Sequence, residues 1–182
     1  MVDRRRLLLL VSTLLLLPGA LAAQDAGSYG RLQGLPITLS HAVRIVQREG
    51  EGRVVHVEFV EEHDRSIWEV NSLGDKGMFE YRVDAVSGRL IRISELPLRG
   101  RLYSMVVGLT PNKIKSAKIS TTEAVSRAER DTRATAERLE IDQPRSHMEY
   151  MIVLRNVEGL HRLRIDAESG EIVFKDDIIP QD

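Results

Sequence analysis

Val83-Asp84-Ala85-Val86-Ser87-Gly88 returns 82 positions later as Ile165-Asp166-Ala167-Glu168-Ser169-Gly170. Aspartate, a small residue, serine and glycine at the end of an apolar run have the chemistry of a tight turn. The carboxylate accepts hydrogen bonds from backbone amides, and glycine takes the positive φ that side chains avoid. A turn that occurs twice at one spacing marks the units from which the chain is built.

The spacing holds upstream. Ile119-Ser120-Thr121-Thr122-Glu123-Ala124-Val125 falls on Ile37 to Val43, and in between Glu58 falls on Glu140, Trp68 on Tyr150, Val70 on Ile152, Gly77 on Gly159 and Arg82 on Arg164. A constant offset that keeps a helix start, an aromatic strand position and a glycine turn predicts a tandem duplication. The expected units are 37–93 and 119–175, joined by a linker over 94–118 and followed by an acidic, frayed tail over 176–182. Units of about 57 residues bury a marginal core, so contact between them, or with the linker, would add stability.

Within the first unit the hydrophobic period changes once. Thr38 is a good N-cap, with Ile37 and Ala42 placed as a hydrophobic staple, and Ala42, Val43, Ile45 and Val46 form one helical stripe that Gly50-Glu51-Gly52 ends. After the glycines the period is two. Val55, Val57 and Phe59, then Trp68 and Val70, then Phe79, Tyr81 and Val83 alternate with polar neighbours, predicting three antiparallel strands. Glu61-Glu62-His63-Asp64 and Gly74-Asp75-Lys76-Gly77 supply the breaks. The fold class is therefore α+β: two tandem copies of one helix packed on a small antiparallel sheet, whose opposite face is polar or open to a partner.

The second unit departs in detail. Ser120 with Glu123 has the pattern of a complete capping box. Thr132-Arg133-Ala134-Thr135 replaces the helix-ending glycines, so this helix is expected to extend towards Glu137, and Pro144 falls in the loop after the first strand. The linker, broken by Pro97, Gly100, Gly108 and Pro111, carries Leu102, Tyr103, Met105, Val106, Val107 and Leu109. That is too apolar for a free tether; it packs on a unit, or is an exposed binding segment.

A helix opening Ile-Ser/Thr-x-x-x-Ala-Val, followed by strands and a closing Val/Ile-Asp-Ala-x-Ser-Gly-x-Leu/Ile, resembles the PepSY domain, over 37–93 and again over 119–175. The resemblance implies a non-catalytic α+β module that restrains peptidases or binds partners outside the cytoplasm. PepSY domains also occur in propeptides of thermolysin-like metallopeptidases. No peptidase sequence is present in these 182 residues, so restraint within one chain gives way to restraint in trans as an alternative.

Asp84 and Asp166, with Ser87 and Ser169, are the carboxylates and hydroxyls that invite a catalytic or metal-binding interpretation. Turn chemistry accounts for them without one. None of the five histidines, His41, His56, His63, His147 and His161, meets a histidine at the 82-residue offset, and no His-Glu-x-x-His spacing exists. No catalytic, cofactor or metal residue is assigned and no cofactor is expected; a pH-sensing role for His56 and His63 is the one histidine function the sequence suggests. Trp68 and Tyr150 are expected in the core. Arg82 and Arg164 are expected on the polar strand face, paired with Glu58 or Glu140.

Residues 1–22 run from Arg4-Arg5-Arg6 through apolar Leu7 to Leu17 and Pro18-Gly19 to Ala20-Leu21-Ala22. That order is a secretory signal with cleavage expected after Ala22 or Ala23, an uncleaved anchor being the alternative; residues 23–36 read as a flexible leader. The chain has no cysteine, hence no lipid-bearing cysteine and no disulfides. Without residues 1–22, which hold Asp3 and three arginines, the 26 basic and 27 acidic residues become 23 and 26, leaving no basic footprint for nucleic acid. The expected protein is periplasmic or secreted, soluble once processed, with a protein or peptide partner in the envelope. A trans-acting inhibitor of a peptidase and a sensory accessory to a membrane signalling protein are the two alternatives.

Overall fold

The computed structural model describes residues 31–96, 107–144 and 147–178. The expected signal and most of the expected leader, linker residues Leu102, Tyr103, Met105 and Val106, and positions 179–182 lie outside them. The elements are α1 (Leu39–Glu49), β1 (Arg53–Glu62), β2 (Arg65–Gly74), β3 (Gly77–Asp84), β4 (Leu90–Leu96), α2 (Pro111–Lys115), α3 (Thr121–Thr132), β5 (Thr135–Asp142), β6 (Glu149–Asn156), β7 (Gly159–Asp166) and β8 (Ile172–Ile178). All eight strands join one antiparallel sheet in the order β4-β3-β2-β1-β5-β6-β7-β8.

The centre of this sheet is β1 against β5, where His56 faces Glu140, Val57 faces Leu139 and Glu58 faces Arg138. Val57 and Leu139 stand 82 positions apart and are both fully buried, so the halves meet about a local two-fold between them. Irregularities recur at the same offset, between Val54 and His56 and between Ala136 and Arg138, and again before Val83 and before Ile165. Helices α1 and α3 touch each other. Their buried Leu39, Ala42, Val43 and Val46, and Ala124, Val125 and Ala128, belong to one core with the sheet residues Val57, Trp68, Val70, Leu139, Ile152 and Leu163. Each fully buried aliphatic side chain contributes about 1.5–3 kcal/mol.

The repeated turn is the hub of each half. Ala85 donates its amide to Ser66 and accepts at its carbonyl from Ile37; Ala167 does the same with Met148 and Ile119. One buried alanine thus fastens the start of a strand to the entry of a helix, and its burial explains why the residue after the aspartate is small. The next link is aromatic. Trp68 Nε1 donates to the Ile37 carbonyl at 2.8 Å, and Tyr150 Oη donates to the Ile119 carbonyl at the same distance. Tryptophan and tyrosine exchange at this position because each combines an apolar body with a donor at its tip.

Several expectations are corrected. Each half has a fourth strand, β4 or β8, beyond the three that the sequence pattern predicts: a bulge within it, at Ile91 or Val173, shifts the period of two, and among the described residues nothing pairs with its outer side, so its residues are not strictly alternating. Strand β4 runs to Leu96, past the expected unit end at 93, and β8 to Ile178, so Asp176 and Asp177 stand in a strand rather than a tail. Helix α3 stops at Thr132, because Arg133 takes the left-handed conformation (φ 54°) and Thr135 already opens β5. The capping box lies at the other helix: Thr38 Oγ1 accepts from the His41 amide while His41 Nδ1 receives the Thr38 amide. At Ser120 only the hydroxyl's half is made, and Glu123 turns to Arg127 at 2.8 Å. In the linker, Leu109 is fully buried and α2 packs against β1.

Candidate functional site

In the turns, Asp84 Oδ1 accepts from the amides of Val86 (3.1 Å) and Ser87 (2.7 Å) and from Ser87 Oγ (2.9 Å). Asp166 Oδ1 accepts from Glu168 (3.0 Å), Ser169 (2.7 Å) and Ser169 Oγ (3.0 Å). Gly88 and Gly170 take φ of 71° and 75°. The Ser87 and Ser169 amides and hydroxyls, with the neighbouring amides, hold both aspartates below the ordinary range. Each serine donates to a carboxylate that also accepts from two turn amides, which is the geometry of a capped turn.

The sheet face away from α1 and α3 carries a lattice of charges. Arg82 binds Glu62 (2.6 Å) and Glu69, not Glu58; these bonds, chiefly the one to Glu62, raise its pKa. Arg164 binds Asp142 and Glu149, each at 3.2 Å, not Glu140; burial works against its charge, and the two carboxylates outweigh it. The partners therefore come from different rows. Counted back 82 positions, Asp142 and Glu149 correspond to Val60 and Ile67, which no sequence period distinguishes. At the local two-fold, Glu58 meets Arg138 (2.8 Å) and His56 (3.5 Å). Burial would raise its pKa, but the His56 bond and Arg138 bring it below normal. Among the described residues, Asn71 Oδ1, Arg82 Nε and Arg138 Nε are buried on this face without a hydrogen-bond partner.

The histidines are scattered. His41 caps α1, His56 stands on the charged face, and His63 forms the β1–β2 turn at φ 45° with Asp64 at 66°. His161 is buried and binds Asp177 of the edge strand at 2.7 Å through Nδ1, a contact that lowers the Asp177 pKa. His56 and His63 stand on different elements, within β1 and in the turn that follows it. Among the described residues no three His, Asp or Glu side chains are grouped to hold a metal ion. Among them also, no helix is long and apolar enough to cross a membrane.

The surface that remains is the pair of outer strands. Strands β4 and β8 end the sheet, and among the described residues nothing pairs with their outer sides. They carry most of the exposed large apolar side chains: Ile91 and Ile93 on β4, and Ile172, Val173 and Phe174 on β8. An edge of this kind is a template for a further strand. Composition alone does not mark it, because the sequence period does not reveal the fourth strand of either half.

Residues 36–93 match the family model of the peptidase propeptide and YPEB domain, PepSY. No curated protein matches the chain. Among solved structures, a candidate lipoprotein from Clostridium difficile 630 is similar, with 11% identity, TM-score 0.45, and coverage of 79% of this chain and 95% of that one. The YpmB protein from Bacillus subtilis is also similar, with 15% identity, TM-score 0.31, and coverage of 78% and 97%.

Proposed function

We propose that the protein is an exported, non-catalytic PepSY protein with two tandem units, acting as a protein-binding or regulatory module of the bacterial envelope. The observation that carries this reading is the sheet whose two outer strands have no strand paired to them among the described residues, each bearing exposed apolar side chains, in a molecule whose conspicuous carboxylates are occupied by turn amides. The PepSY match over 36–93 supports the class of module. The second unit is supported by the same caps, aromatic tethers and turn bonds at the 82-residue offset. Export is supported by the order of basic, apolar and small residues over 1–22. Affinity capture from envelope extracts with the processed chain tests the reading: a partner retained by the folded chain and lost from the heat-unfolded one is expected, and an empty eluate contradicts it.

A second reading, inhibition of a peptidase in trans, is favoured by the propeptide relation of the matching family model. It predicts dose-dependent loss of secreted metallopeptidase activity. Unchanged activity across a panel of such enzymes removes it.

A further inference from the structure

The two outer strands, unpaired on one side among the described residues, are not alike. On β8, Ile172, Val173 and Phe174 are consecutive and 38%, 51% and 43% exposed. Strands at sheet edges are commonly guarded by charges, lysine especially, and by bulges, one of which β8 carries at Val173. Here the one lysine, Lys175, is drawn to Asp131 of α3 at 2.8 Å. The next two residues are acidic. Asp176 is exposed and lies across from Arg162 in the ladder, and Asp177 is half exposed with one oxygen bound to His161. The edge thus reads as an apolar stretch leading into carboxylates, with its own cation turned towards the helix.

We infer that the β8 edge binds an extended basic-then-apolar segment of a partner protein by antiparallel strand addition. The inference rests on the binding-module reading and names the partner chemistry for it. All seven strand pairings in the sheet are antiparallel. In an antiparallel partner the residues facing Asp177 and Asp176 come first in sequence and those facing Phe174 and Val173 come after, which sets the order basic, then apolar. Cross-strand apolar and opposite-charge pairs both favour this register. A second copy of β8 satisfies this rule only in part. Pairing about Lys175 opposes lysine to lysine, pairing about Phe174 sets Asp176 against Ile172, and pairing about Val173 matches the apolar residues but sets Asp176 and Asp177 against Gly170 and Ser169, with no cation for either carboxylate.

The test uses the chain without residues 1–22 and a labelled short peptide, two lysines followed by alternating valine and threonine, read by fluorescence anisotropy. Replacing the lysines by glutamates is expected to weaken binding by about tenfold or more, as are Phe174→Lys and Asp176→Lys in the protein. Val157→Lys, in the exposed β6–β7 turn, is expected to leave binding unchanged, and melting curves show whether each variant folds. Equal binding of the basic and acidic peptides overturns the inference. So does a loss with Ile93→Lys on β4 that Phe174→Lys does not produce. If the peptide fails to bind but an extract partner is captured equally by wild type and Phe174→Lys, the β8 inference falls and the binding-module reading stands. If neither binds, both fall.

Discussion

The half from Leu39 to Leu96 and the half from Thr121 to Ile178 share element order, bulge positions and turn bonds, yet they solve the same packing positions with different chemistry. In the first half the bulge residue Val55 is fully buried and Leu73 is buried as well; 82 positions on stand Glu137 and Arg155, joined at 2.8 Å with Arg155 largely buried. Phe79 and Glu95 face each other across β3 and β4, where the second half has His161 bound to Asp177. The loop after α1 is clamped by Tyr81 Oη, which accepts from the Glu51 amide at 2.7 Å, and by Ser72, whose hydroxyl binds the Glu51 carbonyl. Leu163 and Leu154 replace both clamps, and the turn after α3 is held instead by Glu129, which accepts from the Ala136 amide at 3.2 Å. The difference teaches that the turn, cap and aromatic tether specify the fold, while the remaining contacts are free to vary between apolar and ionic solutions.

The largest effect that would break this comparison lies at the aromatic tether. Trp68→Ala removes a fully buried side chain and its bond to Ile37, and is expected to cost about 4 kcal/mol in denaturant unfolding. Next is the substituted ion pair. Glu137→Ala takes the bidentate partner from a largely buried guanidinium and is expected to cost about 3 kcal/mol, whereas Glu137→Val with Arg155→Leu, which installs the first half's pair, is expected to cost less than the single variant. A double variant as damaging as the single one would show that the halves are not interchangeable there. Tyr150→Phe keeps the ring and loses only the donor to Ile119, for an expected cost of about 1 kcal/mol.

The smallest effects are in pH dependence, and their signs oppose. Burial raises the Glu129 pKa, so the folded state holds that proton more tightly than the unfolded chain, and the ionised group weakens the fold above its folded pKa. Glu129→Gln, which matches Gln47 of the first half, keeps an acceptor for Ala136 without the charge. It is expected to stabilise by about 0.5 kcal/mol at neutral pH, with the gain vanishing as the solution is acidified through the Glu129 pKa. Asp84 and Asp166 have lowered values. Their contribution is complete above the ordinary aspartate pKa of about 3.9 and is lost as pH falls through the folded values, so Asp84→Asn is expected to flatten the acid limb of the stability profile.

Much of this plan is legible in the sequence because it rests on local chemistry. Thr38 and Ser120 are caps by residue type, Gly88 and Gly170 by the positive φ of the turn, and Trp68 and Tyr150 by strand period. The remainder depends on the third dimension. The partners of Arg82 and Arg164 lie at non-equivalent positions, so the offset that locates the arginines misplaces their carboxylates. His41 replaces the usual glutamate of a capping box. The β8 edge has no sequence signature of its own, since Ile172-Val173-Phe174 is an ordinary apolar run until Lys175 is seen bound to Asp131.

Hydrogen exchange of the chain without residues 1–22 tests most directly the claim that the halves form one sheet about Val57 and Leu139, with β4 and β8 as its outer strands. The expected result is that amides of His56–Glu58 and Arg138–Glu140 exchange only through global unfolding, while those on the outer sides of β4 and β8 exchange fastest among the strands. Junction amides that exchange as quickly as the edge amides, with the two halves unfolding separately, would contradict it.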